Sequence, residues 1–178
     1  MKKLGLLLIL LVLLTGVTIV ASWGRAASDP VPQGAIVLAA DSNDGHDPAW
    51  EKRHYYGKAT WGIRGSGKVE AGEMWFSAFP GPSGEYRVSL DVIAEQDGSP
   101  PYRVLAENVV LSEGVFPYPS GARDCDARGR PMELDLGEHR IEHGSKIRVW
   151  GQSVYECGEK GAYALWYRLV FTPVTNTK

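Results

Sequence analysis

The sequence predicts an all-β domain, a β-sandwich or jelly roll, that follows an apolar N-terminal segment. Three observations predict it. Apolar and polar residues alternate with a period of two in several stretches, as they do in half-buried strands. Helical periodicity is missing after the N-terminal segment, apart from one turn near 48–53. The 21 Gly and 11 Pro provide turns between many short strands, a pattern typical of sandwiches and jelly rolls.

The N-terminal segment has the layout of a secretory signal peptide. Lys2 and Lys3 precede an uncharged run over 4–21 that is mostly Leu, Val and Ile, and small residues suited to cleavage lie at Ala21 and near Ala27. The run of about 18 residues also reaches the shortest length of a membrane span, so an uncleaved anchor helix is the alternative. Both interpretations place the domain in the periplasm, outside the cell or at the cell surface.

The strand pattern divides the chain into parts. The clearest strand is predicted over 86–95, in which alternate residues are apolar. An Asp97-Gly98 turn, lengthened by two prolines, then predicts a hairpin to a strand that begins at Tyr102. Further strands are predicted at 35–40, 74–79, 132–136, 146–152 and 162–171. The predicted parts are a signal peptide or anchor over 1–27, a linker over 28–34, the β-sandwich over 35–173 and a disordered tail over 174–178.

The stretch GIRGSGKV at 62–69 is similar to a phosphate-binding loop. Two glycines and a lysine have the required spacing, but Val69 stands where the magnesium-binding Ser or Thr is needed. A phosphate-binding loop also leads into a helix, whereas a strand is predicted here over 74–79. We therefore interpret the stretch as a flexible loop between two strands.

Charge and cysteine content limit the partners and the compartment. The chain has 19 Lys and Arg against 21 Asp and Glu; without Lys2, Lys3 and Arg25 the balance is 16 against 21, or −5. This acidic balance argues against nucleic acid or an anionic membrane as partner and suits a neutral ligand or a cation. A membrane would be contacted only through an uncleaved N-terminal segment.

The two cysteines, Cys125 and Cys157, are predicted to form a disulfide because the chain is exported. Two free buried thiols are the alternative, and a zinc site is disfavoured because no His stands at ligand spacing. On the chain-entropy model, closing this loop stabilises the fold by roughly 3–4 kcal/mol.

Two groups of acidic residues are candidate sites. Asp41, Asp44 and Asp47 form an oxygen-rich stretch that suits a structural calcium ion, with a polar turn as the alternative. No other cofactor is predicted. Glu95 and Asp97 could act as acid and base in glycoside hydrolysis. Residues so close in sequence rarely lie on both sides of a substrate, so we interpret them as turn-fixing residues that face a ligand.

Aromatic residues indicate a surface for stacking. In the last predicted strand the consecutive Trp166 and Tyr167 point to opposite faces, so at least one aromatic lies outside the main core. Exposed rings stack on the apolar faces of sugars while neighbouring polar groups bind the hydroxyls.

The stretch GEYRVSLDVIAEQDGSPPYRV at 84–104 resembles a segment of galactose-binding-like carbohydrate-binding modules, the β-sandwich modules of bacterial polysaccharide-degrading enzymes. The runs 136–149 and 162–171 resemble two later strands of these modules. The resemblance covers about 35–173, with 112–131 as an insertion. It implies a non-catalytic jelly roll that binds a glycan at one rim. Some of these modules hold calcium through acidic residues on the first strand, which 35–40 lacks.

The resemblance leads to a functional hypothesis. We expect an exported, non-catalytic protein that recognises a glycan or polysaccharide by stacking and hydrogen bonds. The alternatives are a membrane-tethered envelope protein whose sandwich docks another protein, and a hydrolase. The expected rim residues are Trp61, Glu95, Asp97, Asn108, Tyr155, Tyr163 and Trp166.

Overall fold

The computed structural model describes residues 25–26 and 30–175, which form an all-β domain with one 3-10 helix, Ala40–Ser42. The strands are β1 Arg25–Ala26, β2 Ile36–Ala39, β3 Gly45–His46, β4 Trp50–Tyr55, β5 Lys58–Ile63, β6 Ala71–Phe76, β7 Gly84–Ala94, β8 Pro101–Ala106, β9 Val109–Val115, β10 Arg130–Ile141, β11 Ile147–Gln152, β12 Val154–Cys157, β13 Lys160–Ala162 and β14 Trp166–Pro173. Within these two ranges, no helix has the length and apolar character needed to cross a membrane.

The predicted N- and C-terminal parts fall mostly outside the described residues. Of the predicted signal peptide or anchor over 1–27, the structure describes Arg25–Ala26, which pair with β10. Residues 27–29, where the predicted linker begins, and 176–178 of the predicted tail also lie outside the described ranges.

Two antiparallel sheets form the sandwich. The seven-stranded sheet has the order β1-β10-β7-β14-β5-β4, with β2 also paired to β14. The five-stranded sheet has the order β3-β6-β11-β8-β9, and β12 and β13 form a separate hairpin. Non-consecutive neighbours in both sheets mean that the chain crosses repeatedly between them, as expected for a jelly roll.

The main core lies between the sheets and follows the predicted alternation. In β7 the residues Tyr86, Val88, Leu90 and Val92 are each at most 2% exposed and belong to this core. The opposite sheet contributes buried residues such as Val104. The period of two in the sequence therefore reports one buried face of each sheet.

A second apolar cluster covers the outer face of the seven-stranded sheet. Ile93, Leu165 and Tyr167 are buried there, and the partly buried Tyr55 and Tyr163 pack against them. Tyr55 is the last residue of β4 and packs on this cluster, so the β4–β5 hairpin lies over the outer face of β7 and β14. This arrangement creates the concave surface described below.

The hairpin predicted between the strand over 86–95 and the strand that begins at Tyr102 is wrong. β7 pairs with β10 and β14 in one sheet, whereas β8 pairs with β9 and β11 in the other. The two prolines lengthen the loop beyond a tight turn, and the chain uses it to cross the sandwich. The chain bends at Gln96 and Asp97, but this bend does not join paired strands.

Two further expectations concern the region before β6. The helical turn predicted near 48–53 is wrong, because Trp50–Tyr55 forms β4 and pairs with β5. The interpretation of GIRGSGKV as a loop between strands is confirmed, since it connects β5 to β6 and no helix begins at its end.

Candidate functional site

The loops at one end of the sandwich are joined to one another. β7 and β11 finish at this end, and β6, β8, β10 and β14 start there. We call it the loop end; it comprises the loops 64–70, 95–100 and 116–129 together with the β12–β13 hairpin. The predicted disulfide is present here, with the Cα atoms of Cys125 and Cys157 5.7 Å apart.

Glu156 adds polar links at the loop end. Its carboxylate accepts hydrogen bonds from the Tyr118 hydroxyl at 2.6 Å and from the Ser99 amide at 3.1 Å. The Tyr118 hydroxyl and the Ser99 amide hold the pKa of Glu156 below its ordinary value. Together with the disulfide, these contacts fix three loops relative to one another, which preorganises the surface they form.

A pocket of about 510 Å³ lies between the tip of the β4–β5 hairpin and the loop end. Its lining residues are His54, Tyr55, Tyr56, Ile93, Glu95, Arg128, Gly129 and Leu165. The volume falls within the usual range for small-molecule sites, roughly 300–1,000 Å³. The lining combines an apolar floor with aromatic and ionisable groups at the sides, which suits a polar ligand that also has apolar faces.

Tyr56 forms the hairpin tip in an unfavourable backbone conformation. It and Gly57 have φ values of 52° and 72°, as a two-residue type I′ turn requires. Glycine adopts such a φ without strain, whereas a tyrosine loses on the order of 1–2 kcal/mol. The Tyr56 side chain is 54% exposed, and its hydroxyl donates a hydrogen bond to the carbonyl of Gly129. The strained position thus places an aromatic ring at the pocket, bridged to the 116–129 loop.

Glu95 follows β7 and lines the same pocket. Its Oε2 accepts a hydrogen bond from the Tyr163 backbone N–H at 2.5 Å. Part of the side chain is exposed, but the carboxyl group is closely surrounded by protein. Burial raises the pKa of this carboxyl from 4.5 to about 8; the Tyr163 N–H opposes the shift and the nearby Asp97 charge adds to it. At neutral pH, Glu95 is therefore mostly a neutral acid.

This shifted pKa predicts a pH-dependent stability. Below pH 4.5 the Glu95 carboxyl is protonated in both the folded and the unfolded state; between pH 4.5 and about 8 only the unfolded state loses the proton, so stability falls as pH rises. The side chain of Glu95→Gln stays neutral. We therefore expect the free energy of unfolding of this variant, relative to that of the wild type, to increase from pH 5 to pH 8. Urea unfolding at both pH values measures this. Glu159→Gln, on an exposed turn residue, is the control, and parallel pH curves for wild type and Glu95→Gln would contradict the prediction.

Several predicted rim residues do meet at the loop end. Tyr155 and Tyr163 lie with ring centroids 6.2 Å apart, and the guanidinium of Arg53 lies 4.4 Å from the centre of the Tyr163 ring. Tyr163 is bound to Glu95 as described, and Asp97 follows in the same loop, where burial raises its pKa. Of these four predicted residues, Glu95 lines the pocket, whereas Asp97, Tyr155 and Tyr163 lie at the loop end outside the lining.

Three other predicted rim residues lie elsewhere. Trp166 is fully buried in the main core, which corrects its assignment to the rim. Of the two consecutive aromatics at the start of β14, Trp166 faces inward and Tyr167 faces the outer cluster. Trp61 is partly exposed and lies outside the pocket lining. Its ring centroid is 4.6 Å from that of His46, with the two ring planes tilted by 52°. Asn108 is exposed in the β8–β9 turn, one strand length away from the loop end.

The predicted calcium ligands each have another protein partner. Asp41 forms an ion pair with Lys52 at 2.5 Å, Asp44 accepts the Ser77 amide at 2.6 Å, and Asp47 accepts the Glu73 amide at 2.7 Å. Among the described residues no group of three or more His, Cys, Asp or Glu is placed to hold a metal ion. Through these contacts the three aspartates fix their loops, and the expected calcium ion stays a prediction.

The hairpin residues of the site were not predicted from the sequence. His54, Tyr55 and Tyr56 directly follow the stretch 48–53, which was interpreted as a helical turn, and the Tyr56-Gly57 turn was not recognised. The available signal was the Tyr56-Gly57 pair, because a pair that ends in Gly between two strand-like runs predicts a hairpin turn. Arg128 lies in the insertion over 112–131, for which the resemblance offers no counterpart.

A second aromatic surface lies on the outer face of the five-stranded sheet. Trp75 and Trp150 are partly exposed there on the adjacent strands β6 and β11, in diagonal positions. The ammonium of Lys146 lies 4.9 Å from the Trp75 ring centre, and the guanidinium of Arg103 lies 5.9 Å from that of Trp150. Neither tryptophan belongs to the lining of the pocket.

No family model and no curated protein matches the chain. Solved structures do match. The C-terminal family 6 carbohydrate-binding module of the laminarinase LamC from Zobellia galactanivorans is 16% identical, with a TM-score of 0.52 over 78% of this chain and 98% of that module. The module CsCBM6-3 from Clostridium stercorarium, solved with cellobiose, is 12% identical, with a TM-score of 0.51 over 78% of this chain and 94% of that module.

The same sandwich also occurs within larger proteins. The insecticidal crystal protein Cry2Aa is 12% identical, with a TM-score of 0.53 over 81% of this chain, but this chain spans only 22% of Cry2Aa. At such identities the likeness concerns the fold alone. The chain has the galactose-binding-like β-sandwich fold of carbohydrate-binding modules.

Proposed function

We propose that this chain is an exported, non-catalytic protein that binds a glycan in the pocket between the β4–β5 hairpin and the loop end. The observation that carries the proposal is the pocket lining, in which Tyr55 and Tyr56 stand beside the polar groups of Glu95 and Arg128. Aromatic faces pack on the C–H faces of a sugar ring, and the polar groups bind its hydroxyls. The fold shared with carbohydrate-binding modules supports the same role.

Export is supported by the disulfide, since such bonds persist mainly in oxidising compartments. The basic start and apolar run at the N-terminus support it further. A non-catalytic role is supported by the placement of the acids: Glu95 and Asp97 leave the same strand end, whereas glycoside hydrolysis needs carboxyl groups on two sides of the bond. Reducing-sugar release from the probes named below, abolished in Glu95→Gln, would overturn this part of the proposal.

Isothermal titration calorimetry of the purified chain with cellohexaose, laminarihexaose, mannohexaose and soluble galactan tests the binding. We expect at least one probe to bind with a Kd between about 1 µM and 1 mM, or about −8 to −4 kcal/mol. Absence of heat and of retention on all four immobilised glycans would overturn the proposed function.

Tyr56→Asn separates binding from folding. An Asn-Gly pair is a favoured type I′ turn, so the variant relieves the strain at this position while it removes the ring and the hydroxyl bridge to Gly129. We expect an unchanged or slightly higher melting temperature and a loss of affinity of about tenfold or more, equivalent to about 1.4 kcal/mol or more. Calorimetry of binding and thermal unfolding measure the two effects.

Two control variants locate the site. Asn108→Ala, at the opposite end of the sandwich, is expected to leave the affinity unchanged. Trp150→Ala removes an aromatic from the outer face of the five-stranded sheet and is also expected to leave the affinity unchanged. Loss of binding in Trp150→Ala together with normal binding in Tyr56→Asn would move the site to that face.

One observation favours protein docking as a second candidate function. Val109, Val110 and Val115 are 64%, 45% and 54% exposed on β9, the edge strand of the five-stranded sheet. Exposed apolar edge strands are templates for pairing with another chain. Val110→Lys and Val115→Lys are expected to leave glycan binding intact; if they instead abolish a specific complex with an envelope protein while glycan binding is absent, docking is the function.

A further inference from the structure

We propose that Glu95 binds the ligand as a neutral carboxylic acid, which donates a hydrogen bond to a ligand oxygen, so that the pocket releases its glycan when this group ionises. The inference rests on the proposed function and adds the regulation of the same site. It makes Glu95 a residue that determines both which ligand oxygen is recognised and at which pH the ligand is held.

The contacts of Glu95 leave one oxygen for a ligand. In the described part of the chain, Oε2 accepts the Tyr163 N–H and none of the ion pairs includes Glu95. The side chain lines the pocket beside Ile93 and Leu165, which provide no hydrogen-bonding side-chain atoms. A carboxyl group placed against an apolar floor, with a single donor on one oxygen, is stable there as the neutral acid.

The charged and titratable groups around Glu95 come from three directions. Asp97, in the same loop, disfavours the ionised form. Arg53 on β4 favours it, but Arg53 also binds Glu51 and lies over the Tyr163 ring. The other titratable groups in the lining are His54, Tyr55, Tyr56 and Arg128. Arg128, from the 116–129 loop, is exposed, which weakens its effect on the carboxyl.

The protonation state decides what Glu95 offers a sugar. A neutral carboxyl group has one O–H donor, whereas a carboxylate only accepts. Ring and glycosidic oxygens only accept, so they pair with the acid and not with its anion. Ionisation also leaves a poorly solvated charge that a bound sugar would bury further. The shifted pKa of about 8 sets the range in which this change takes place.

Titration calorimetry with cellohexaose and laminarihexaose between pH 6 and pH 10 tests the inference, with circular dichroism at each pH to confirm folding. We expect a constant Kd below pH 7 and a rise of about tenfold per pH unit above 8, because the binding-competent fraction falls by that factor. Glu95→Gln, whose amide also donates, is expected to bind at pH 7 with a pH-independent Kd. Glu159→Gln is expected to keep the wild-type profile.

The outcomes separate this inference from the proposed function. A wild type that binds with the same Kd at pH 7 and pH 10 overturns the role of Glu95 and leaves glycan binding in place. The same alkaline loss of affinity in Glu95→Gln as in wild type also overturns it, since another group would then be responsible. Failure of both probes and of the other glycans named above at every pH overturns the proposed function itself.

Discussion

Arg168→Ala is expected to lower the free energy of unfolding by about 3–5 kcal/mol, because it removes a charge partner from a buried carboxylate. Asp91 is fully buried on the outer face of β7, and Arg168 on β14 donates to its Oδ2. The two strands are neighbours with these residues in register, so the pair is fixed by the sheet itself. Chemical denaturation at neutral pH measures the loss.

An exposed ion pair between neighbouring strands is the matched control. Arg87 on β7 binds Asp135 on β10, and both side chains are about half exposed. Arg87→Ala is therefore expected to lower stability by less than about 1 kcal/mol. Replacing both partners of the buried pair, Asp91→Leu with Arg168→Met, is expected to recover most of the loss. Equal losses of stability in Arg168→Ala and Arg87→Ala would contradict the larger contribution assigned to the buried pair of Asp91 and Arg168.

Removal of the disulfide is expected to affect both stability and binding. The bond closes a sequence separation of 32 residues, so the chain-entropy model gives a loss of roughly 3–4 kcal/mol for the double variant Cys125→Ser, Cys157→Ser. Because Arg128 and Gly129 follow Cys125 closely, their wall of the pocket also loses its restraint. We expect weaker glycan binding even at temperatures where the variant is fully folded.

Thermal unfolding with and without a reducing agent gives an independent measure of the same bond. The wild type is expected to melt at a lower temperature when reduced, and the double variant is expected to be insensitive to the reductant. Coincident melting curves for the reduced and oxidised wild type would show that the bond contributes nothing to the stability of the fold.

Strand positions in the sandwich were largely predictable because burial of one sheet face imposes a period of two on the sequence. β7, Gly84–Ala94, covers the alternation predicted over 86–95 except for its last residue, and its alternate residues do form the core. The pairing of strands was less predictable. Whether the loop after Ala94 turns back or crosses depends on contacts made by distant strands, so the Asp97-Gly98 signal led to a wrong hairpin.

The candidate site was predictable only in part, for a similar reason. Glu95 was selected because it lies at the end of a predicted strand beside the Asp97-Gly98 turn, and Tyr155 and Tyr163 were selected as aromatics of the rim that the resemblance implies. Trp166 was misplaced because alternation says that neighbouring residues face opposite ways, but does not say which one faces the core. Tyr56 was missed because a tyrosine with positive φ contradicts the usual turn preferences.

The β4–β5 hairpin is attached to the rest of the seven-stranded sheet by very little backbone. Its own strands pair at six positions, whereas β5 meets β14 at one, Trp61 opposite Trp166. An element held in this way can open at its tip while its base stays packed, since Trp50 and Ile63 belong to the main core. Amide hydrogen exchange at the tip then requires much less free energy than global unfolding.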